Sequence, residues 1–208
     1  ALQQYGLDFA GLARGAGLDP GLLTEPNARY PAVALQKLWE ISAAQSGDPL
    51  FGFRVGNLVR PGTFHALGLG IVSSTSVLAA LRRIERYSSV VSTNGRFVLL
   101  VDEKYARLET RRTELTIMPS PQYFDAAVVT ICRILALCAG PTAVPVLVRL
   151  PQQSDASIEA YRRVLLCPIE FGAENVEIVF DAQLAARPVL TGNPELAAEA
   201  DRMSARYI

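Results

Sequence analysis

The chain has 208 residues, half of them hydrophobic, which supplies enough apolar surface for a single core that needs no disulfide staples. Twenty Lys and Arg balance twenty Asp and Glu, so there is no surplus of cations to neutralise phosphates, and this segment reads as a poor nucleic-acid binder. Cys132, Cys138 and Cys167 cannot all pair and lie in apolar runs, the pattern of reduced thiols in a cytoplasmic protein.

Apolar spacing at Leu2, Tyr5, Phe9 and Leu12 predicts a helix over 2–14, closed by Gly15 and Gly17. A short turn at 19–23 and a loop at 27–31 lead into a helix with Pro31 just inside its start and Leu35, Leu38, Trp39 and Ile41 on its apolar face. Gly47-Asp48-Pro49 ends that helix. Short helices over 50–59 and 63–72 flank the turn Arg60-Pro61-Gly62, and the second holds Gly68-Leu-Gly70, read as a close-packing pair. Ser73, Ser74 and Thr75 offer N-cap oxygens to a long helix reaching Val91, with Val77, Leu81, Ile84, Ser88 and Val91 along one face.

At Asn94-Gly95 the period changes. Strands over 96–102 and 105–111 form a hairpin about the polar tip Asp102-Glu103-Lys104. Pro119 and Pro121 break the chain before an apolar helix over 122–139, whose most apolar run, 126–139, contains Arg133 and falls short of the ~20 residues that a membrane span needs. A strand over 144–150 follows, then a helix from Asp155 to Leu166. The segments 168–171 and 176–180, on either side of Gly172-Ala-Glu-Asn175, look like a second hairpin. Asp181 starts a short helix that Pro188 stops, and Pro194 opens the last helical stretch. The expected fold class is α+β: a helical N-terminal half followed by a mostly antiparallel sheet of about five strands with interspersed helices.

Catalytic patterns are missing. His65 is the single histidine, so neither a histidine-dependent triad nor a multi-histidine metal site has its partners, and there is no C-x-x-C, phosphate loop or G-x-S-x-G. The reading is a non-enzyme with no metal and no cofactor.

Gly47-Asp-Pro-Leu-Phe-Gly-Phe-Arg-Val-Gly56, Leu67-Gly-Leu69 and Ser73-Ser-Thr-Ser-Val-Leu-Ala-Ala-Leu81 come first. Ala160-Tyr-Arg-Arg163, Cys167-Pro-Ile-Glu-Phe-Gly-Ala173 and Ile178-Val-Phe-Asp181 follow. In this order they resemble the N-terminal effector domain of AraC-type transcription regulators, in the branch labelled arabinose-binding-like, over residues 1–205. The resemblance implies the small-molecule-sensing and dimerisation domain of a bacterial regulator, in the cytoplasm, with no membrane partner. DNA would be met only through a C-terminal helix-turn-helix pair. No such pair is present, and a helical pattern is still running at Ile208, so the expectation is a piece of a longer chain. Residues 1–190 would be the effector-binding domain and 191–208 a connector helix toward the missing part. The label does not name the ligand. Sugar-responsive relatives with a cupin-like barrel have more strands and fewer leading helices than this pattern allows.

Half the chain being apolar, the expected effector is amphipathic or apolar, held between the helical half and the sheet near 63–72 and 75–91. Candidate ligand contacts are Trp39, Phe64, His65, Tyr87, Ser88 and Tyr123. Each has a plainer reading: the aromatic rings as core packing, His65 as a histidine paired with a backbone carbonyl, the hydroxyls as internally bonded. Arg96, Arg107 and Arg111 decorate the first hairpin, either for an acidic ligand or as a solvated strand face. A haem or gas sensor using His65 is the alternative function. For a homodimer the seam would be the last helix, through Leu196, Met203 and Tyr207, with Ala197, Ala198, Ala200 and Ala205 permitting close approach. The competing reading has this helix packed back on its own domain.

Overall fold

The N-terminal apolar stripe does not make one helix. Leu2–Tyr5 is a 3-10 turn, Gly6 takes a left-handed φ of 66°, and the Asp8 carboxylate then accepts from the Ala10 and Gly11 amides to start α1 over Phe9–Gly15. The computed structural model describes residues 2–25, 28–112, 117, 119–153 and 158–208. The expected Asp155 cap, and Asn27 at the head of the predicted loop, lie outside them.

Helix α2 (Ala32–Ser46) starts after Pro31 rather than at it. Helix α3 (Phe51–Leu58) leads through a 3-10 turn over Pro61–Phe64 into α4 (His65–Val72). Helix α5 (Val77–Val91) is capped by Ser76, whose hydroxyl accepts from the Ala79 amide at 3.1 Å. That corrects the expected cap at Ser73, Ser74 or Thr75: the Ser74 hydroxyl instead donates to the Gly70 carbonyl at 2.8 Å, which holds it on α4. Helix α6 (Pro121–Ala139) is capped by Ser120 and fills the centre. By length and composition alone it could cross a membrane, and half of the apolar stretch is buried inside this fold.

Five strands among the described residues form one sheet: β1 (Arg96–Val101), β2 (Tyr105–Arg111), β3 (Leu147–Leu150), β4 (Ile169–Phe171) and β5 (Glu177–Asp181), in the order β1-β2-β5-β3-β4. The β1–β2 hairpin forms as expected, with Arg96 opposite Arg111 and Phe97 opposite Thr110. The second hairpin does not. Strand β3 lies between β4 and β5, antiparallel to β5 and parallel to β4, and α7 (Ile158–Leu165) provides the crossover that a parallel pair requires. The connection 172–176 can reach ~17 Å at ~3.4 Å per residue, ample for two strand spacings of ~4.8 Å, so its length never demanded adjacent pairing.

Side-chain alternation gives the sheet two unlike faces. Phe97, Leu108, Val148, Ile169, Ile178 and Phe180 face the helices and join the core. Arg107, Glu109, Arg149, Glu170 and Glu177 occupy the other face, where Arg149 bonds Glu170 at 2.6 Å and Glu177 at 2.9 Å. Helix α8 (Ala182–Ala186) starts at Asp181, as its N-cap position predicts. Helix α9 (Pro194–Ser204) starts at Asn193 and packs on α4.

Glycines set the tightest contacts. A Cβ at Gly52 would stand 2.2 Å from the Gln122 carbonyl, and one at Gly56 2.7 Å from that of Ala126, so these two residues, one helical turn apart, seat α3 on α6. On α4, a Cβ at Gly68 would strike the Pro61 carbonyl, and Gly70 leaves room for the Ala200 methyl of α9 at 3.3 Å. The close-packing reading of Gly68 and Gly70 holds.

Candidate functional site

On its other side α6 leaves a partly open cavity of about 310 Å³, bordered by α4, α5 and the β1–β2 end of the sheet. Helical spacing builds its walls. Phe64, Leu67 and Ile71 come from one face of α4 and the turn before it, Ile84, Ser88 and Val91 from one face of α5, and Phe124, Val128 and Ile131 from α6. The cross-strand pair Phe97 and Thr110 makes the sheet side, with Val176 beside it. Trp39, Val55 and Tyr123 close one end; Arg96, Arg111, Arg112, Glu174 and Asn175 border the wall where β1 begins and β2 ends.

Most polar groups on the wall are already engaged. Asn94 bonds both the amide and the carbonyl of Ile117 at 2.8 Å, the Thr110 hydroxyl accepts from the Val176 amide at 3.2 Å, and Thr130 reaches the Gly56 carbonyl at 3.5 Å. Burial pushes the Tyr123 hydroxyl above its ordinary pKa, and a bond to Ser92 offsets only part of that shift. The Ser88 hydroxyl keeps only a long contact, 3.5 Å, to the Glu85 carbonyl. Such a wall receives apolar surface and offers few hydrogen bonds.

Of the six candidate ligand contacts that helical spacing and residue type suggest, four meet here: Trp39, Phe64, Ser88 and Tyr123 all line the cavity. Tyr87, next to Ser88 in sequence, is a helical step round from it; the ring is buried in the core off this wall, with the Arg86 guanidinium 5.2 Å above it. His65 is exposed at the start of α4 with a left-handed φ of 49°, also off the wall. Arg112 and Val176 escape a reading of the sequence, because both come from strand ends whose neighbours depend on sheet order. Residues such as Ile71, Ile84 and Phe124 are detectable through their spacing.

Trp39 also separates the cavity from a more open groove of about 510 Å³ bordered by Leu2, Phe9, Leu38, Phe51 and Val55. Its ring meets those of Phe51 and Tyr123 edge-on, each at 6.0 Å. Ser42 Oγ is buried at this groove with no hydrogen-bond partner among the described residues.

On the α3 side of α6 lies Asp125, 1% exposed. It accepts from the Tyr161 hydroxyl at 3.0 Å and Gln152 Nε2 at 2.9 Å. Burial pushes its carboxyl up to about 7, against the lowering effect of those two bonds. Burial likewise raises the Cys138 and Cys167 thiols to about 11, and Cys132 further, so these sulfurs stay protonated and unreactive at neutral pH. Among the described residues no group of three or more His, Cys, Asp and Glu could hold a metal ion.

The last helix has two sides. Ala197, Ala200 and Ser204 are buried, whereas Leu196 (40% exposed), Met203 (42%) and Tyr207 (52%) face outward. Arg83 of α5 holds Asp201 through two bonds of 3.0 Å and reaches the Ser74 hydroxyl at 3.1 Å, joining α4, α5 and α9.

Comparison with known proteins places this architecture. A family model described as the arabinose-binding domain of AraC transcription regulator, N-terminal, matches residues 6–189. The HTH-type transcriptional regulator VirS of Mycobacterium tuberculosis is 24% identical over 211 residues, covering 100% of this chain and 60% of VirS. The ornithine utilization regulator of Pseudomonas aeruginosa is 23% identical over 193 residues, covering 92% of this chain and 56% of that protein. The chain therefore spans under two thirds of the length of these relatives. The crystal structure of transcriptional regulator CdpR from Pseudomonas aeruginosa shares the fold over 95% of this chain and 64% of CdpR, with a TM-score of 0.54 at 16% identity.

Proposed function

Because the chain belongs to the family of N-terminal arabinose-binding domains of AraC transcription regulators, we propose that it is the small-molecule-sensing and dimerisation domain of a bacterial regulator. The observation that carries this reading is the cavity of about 310 Å³, lined by apolar residues of α4, α5 and α6, with most wall polar groups already bonded. A small apolar or amphipathic effector suits it. The matched relatives are transcription regulators, in keeping with a non-enzyme of the cytoplasm, and DNA would be contacted by a part of the regulator outside this chain. Residues 1–190 act as the sensor and 191–208 as the connector. Trp39, Phe64, Ser88 and Tyr123 are the proposed effector contacts.

Dimerisation is proposed through the outward side of α9 and the turn after it, where Leu196, Met203 and Tyr207 are exposed while Ala197 and Ala200 are buried within the domain. Two copies would place two DNA-reading parts at a fixed spacing.

A metabolite screen by thermal shift tests the sensor. An effector at a hundredfold excess over Kd stabilises the fold by ~2.7 kcal/mol. Authentic effectors that bind the intact regulator and never this domain would end the reading. Sedimentation of the Leu196→Glu, Met203→Glu double variant tests the seam: a dimer that survives both charges moves the interface elsewhere.

A further inference from the structure

We propose that the effector of this cavity is a monoanionic amphiphile of about ten heavy atoms, its apolar body between α4, α5 and α6 and its anionic head on Arg112. This rests on the cavity being the effector site. The size follows from about 310 Å³ of space at ~30 Å³ per heavy atom. The apolar body follows from the wall: a polyol would bury hydroxyls against Leu67, Ile71, Ile84 and Phe97 without partners, since Asn94 and Thr110 are already bonded within the protein. The label of the family therefore does not describe what fits here.

The head group follows from charge and strand alternation. The charged residues bordering the cavity are Arg96, Arg111, Arg112 and Glu174. Phe97 and Thr110 face the helices, which puts Arg96 and Arg111 on the opposite face of the sheet, and Arg111 is held there by Glu109 at 2.6 Å. Arg112, just past the end of β2, borders the cavity. Gly95, just before the Arg96–Arg111 pair, carries no side chain at this end of the hairpin. Among the described residues Arg112 makes no hydrogen bond or ion pair, so its donors are free for a carboxylate or a similar monoanion.

The single tryptophan, Trp39, lies on the wall and reports occupancy through its emission. The chain is titrated at pH 8 with octanoate, 1-octanol, octylammonium and L-arabinose, following Trp39 emission and the thermal midpoint. Octanoate is expected to bind at least tenfold more tightly than octanol, octylammonium less tightly than octanol, and arabinose not saturably. Arg112→Gln should bring octanoate to the level of octanol and leave octanol unchanged, and Arg107→Gln, on the sheet face away from the helices, should alter neither more than twofold. Octanol or octylammonium binding as tightly as octanoate, or an Arg112→Gln chain that keeps its preference, overturns the head-group assignment and leaves the cavity reading standing. Filling the cavity with Ala127→Leu, or with Ser88→Leu from the α5 side, should abolish binding of both octanoate and octanol. If neither amphiphile binds the unmodified chain, or both filled variants bind as before, the cavity reading itself fails.

Discussion

Helix α6 has two sides that obey different packing rules. Toward α3 the backbones approach until glycine alone fits, at Gly52 and Gly56; toward α4, α5 and the sheet the same helix borders about 310 Å³ of unfilled space. Close-packed interiors rarely leave that much space unfilled. Here one side is locked by backbone contact, by the Gly52 amide donating to Gln122 Oε1 at 2.6 Å, and by Arg133 donating to the Asn57 carbonyl, so α6 cannot move over to fill the other. The rigid contact is what keeps the void open.

The comparison breaks first at Gly52. Gly52→Val drives a branched side chain into the Gln122 carbonyl and should cost ~3 kcal/mol or more, read as a lowered urea midpoint. The next effect lies on the same tight side, at Asp125. A carboxyl raised to about 7 binds more protons folded than unfolded between pH 4 and 7, so stability falls as pH rises through that window and the penalty is complete above it. Asp125→Asn removes the ionisation while keeping an acceptor for Tyr161, and once the Gln152 amide turns over, its NH2 donates to Gln152 Oε1, which has no partner among the described residues. At pH 8 the variant should be ~2 kcal/mol more stable than the parent chain, with the difference vanishing near pH 4, checked by urea melts across that range.

Smaller effects sharpen the contrast. Arg83→Gln loses the paired bonds to Asp201 and should cost ~1 kcal/mol, with amide exchange accelerating in α9 before it does in α6. Ala127→Leu on the open side should change stability by less than ~1 kcal/mol, because the added atoms enter existing space. If Ala127→Leu proved as costly as Gly52→Val, the two sides of α6 would not differ and the void would not be real.

How much of this is legible in the sequence follows from what each signal measures. The 3.6-residue stripe on α5 carries Ser88 to the cavity along with Ile84, because both facts depend on one helix alone. Tyr87 shares the same stretch of helix, yet a step of one residue turns it to the core. His65 falls within a helical pattern, but it occupies the left-handed entry residue of α4, where the chain direction rather than helical phase sets where it stands. Fold class is readable from the change of period at Asn94-Gly95. Sheet order is not: the insertion of β3 between β4 and β5 decides which strand ends meet, and with it the place of Val176 on the cavity wall.

One element, α4, belongs to both the cavity and the last helix. Leu67 and Ile71 touch the void, and Gly70, between them in sequence, touches Ala200. At eight residues it is too short to bend appreciably, so a displacement at one of these contacts would be carried to the other. An occupant of the cavity that shifted α4 would bear on α9, and by reciprocity whatever restrained α9 from outside would change affinity in the cavity by the same factor. Affinities measured on this chain alone and on a longer one would then differ, and the ratio between them would be the coupling itself.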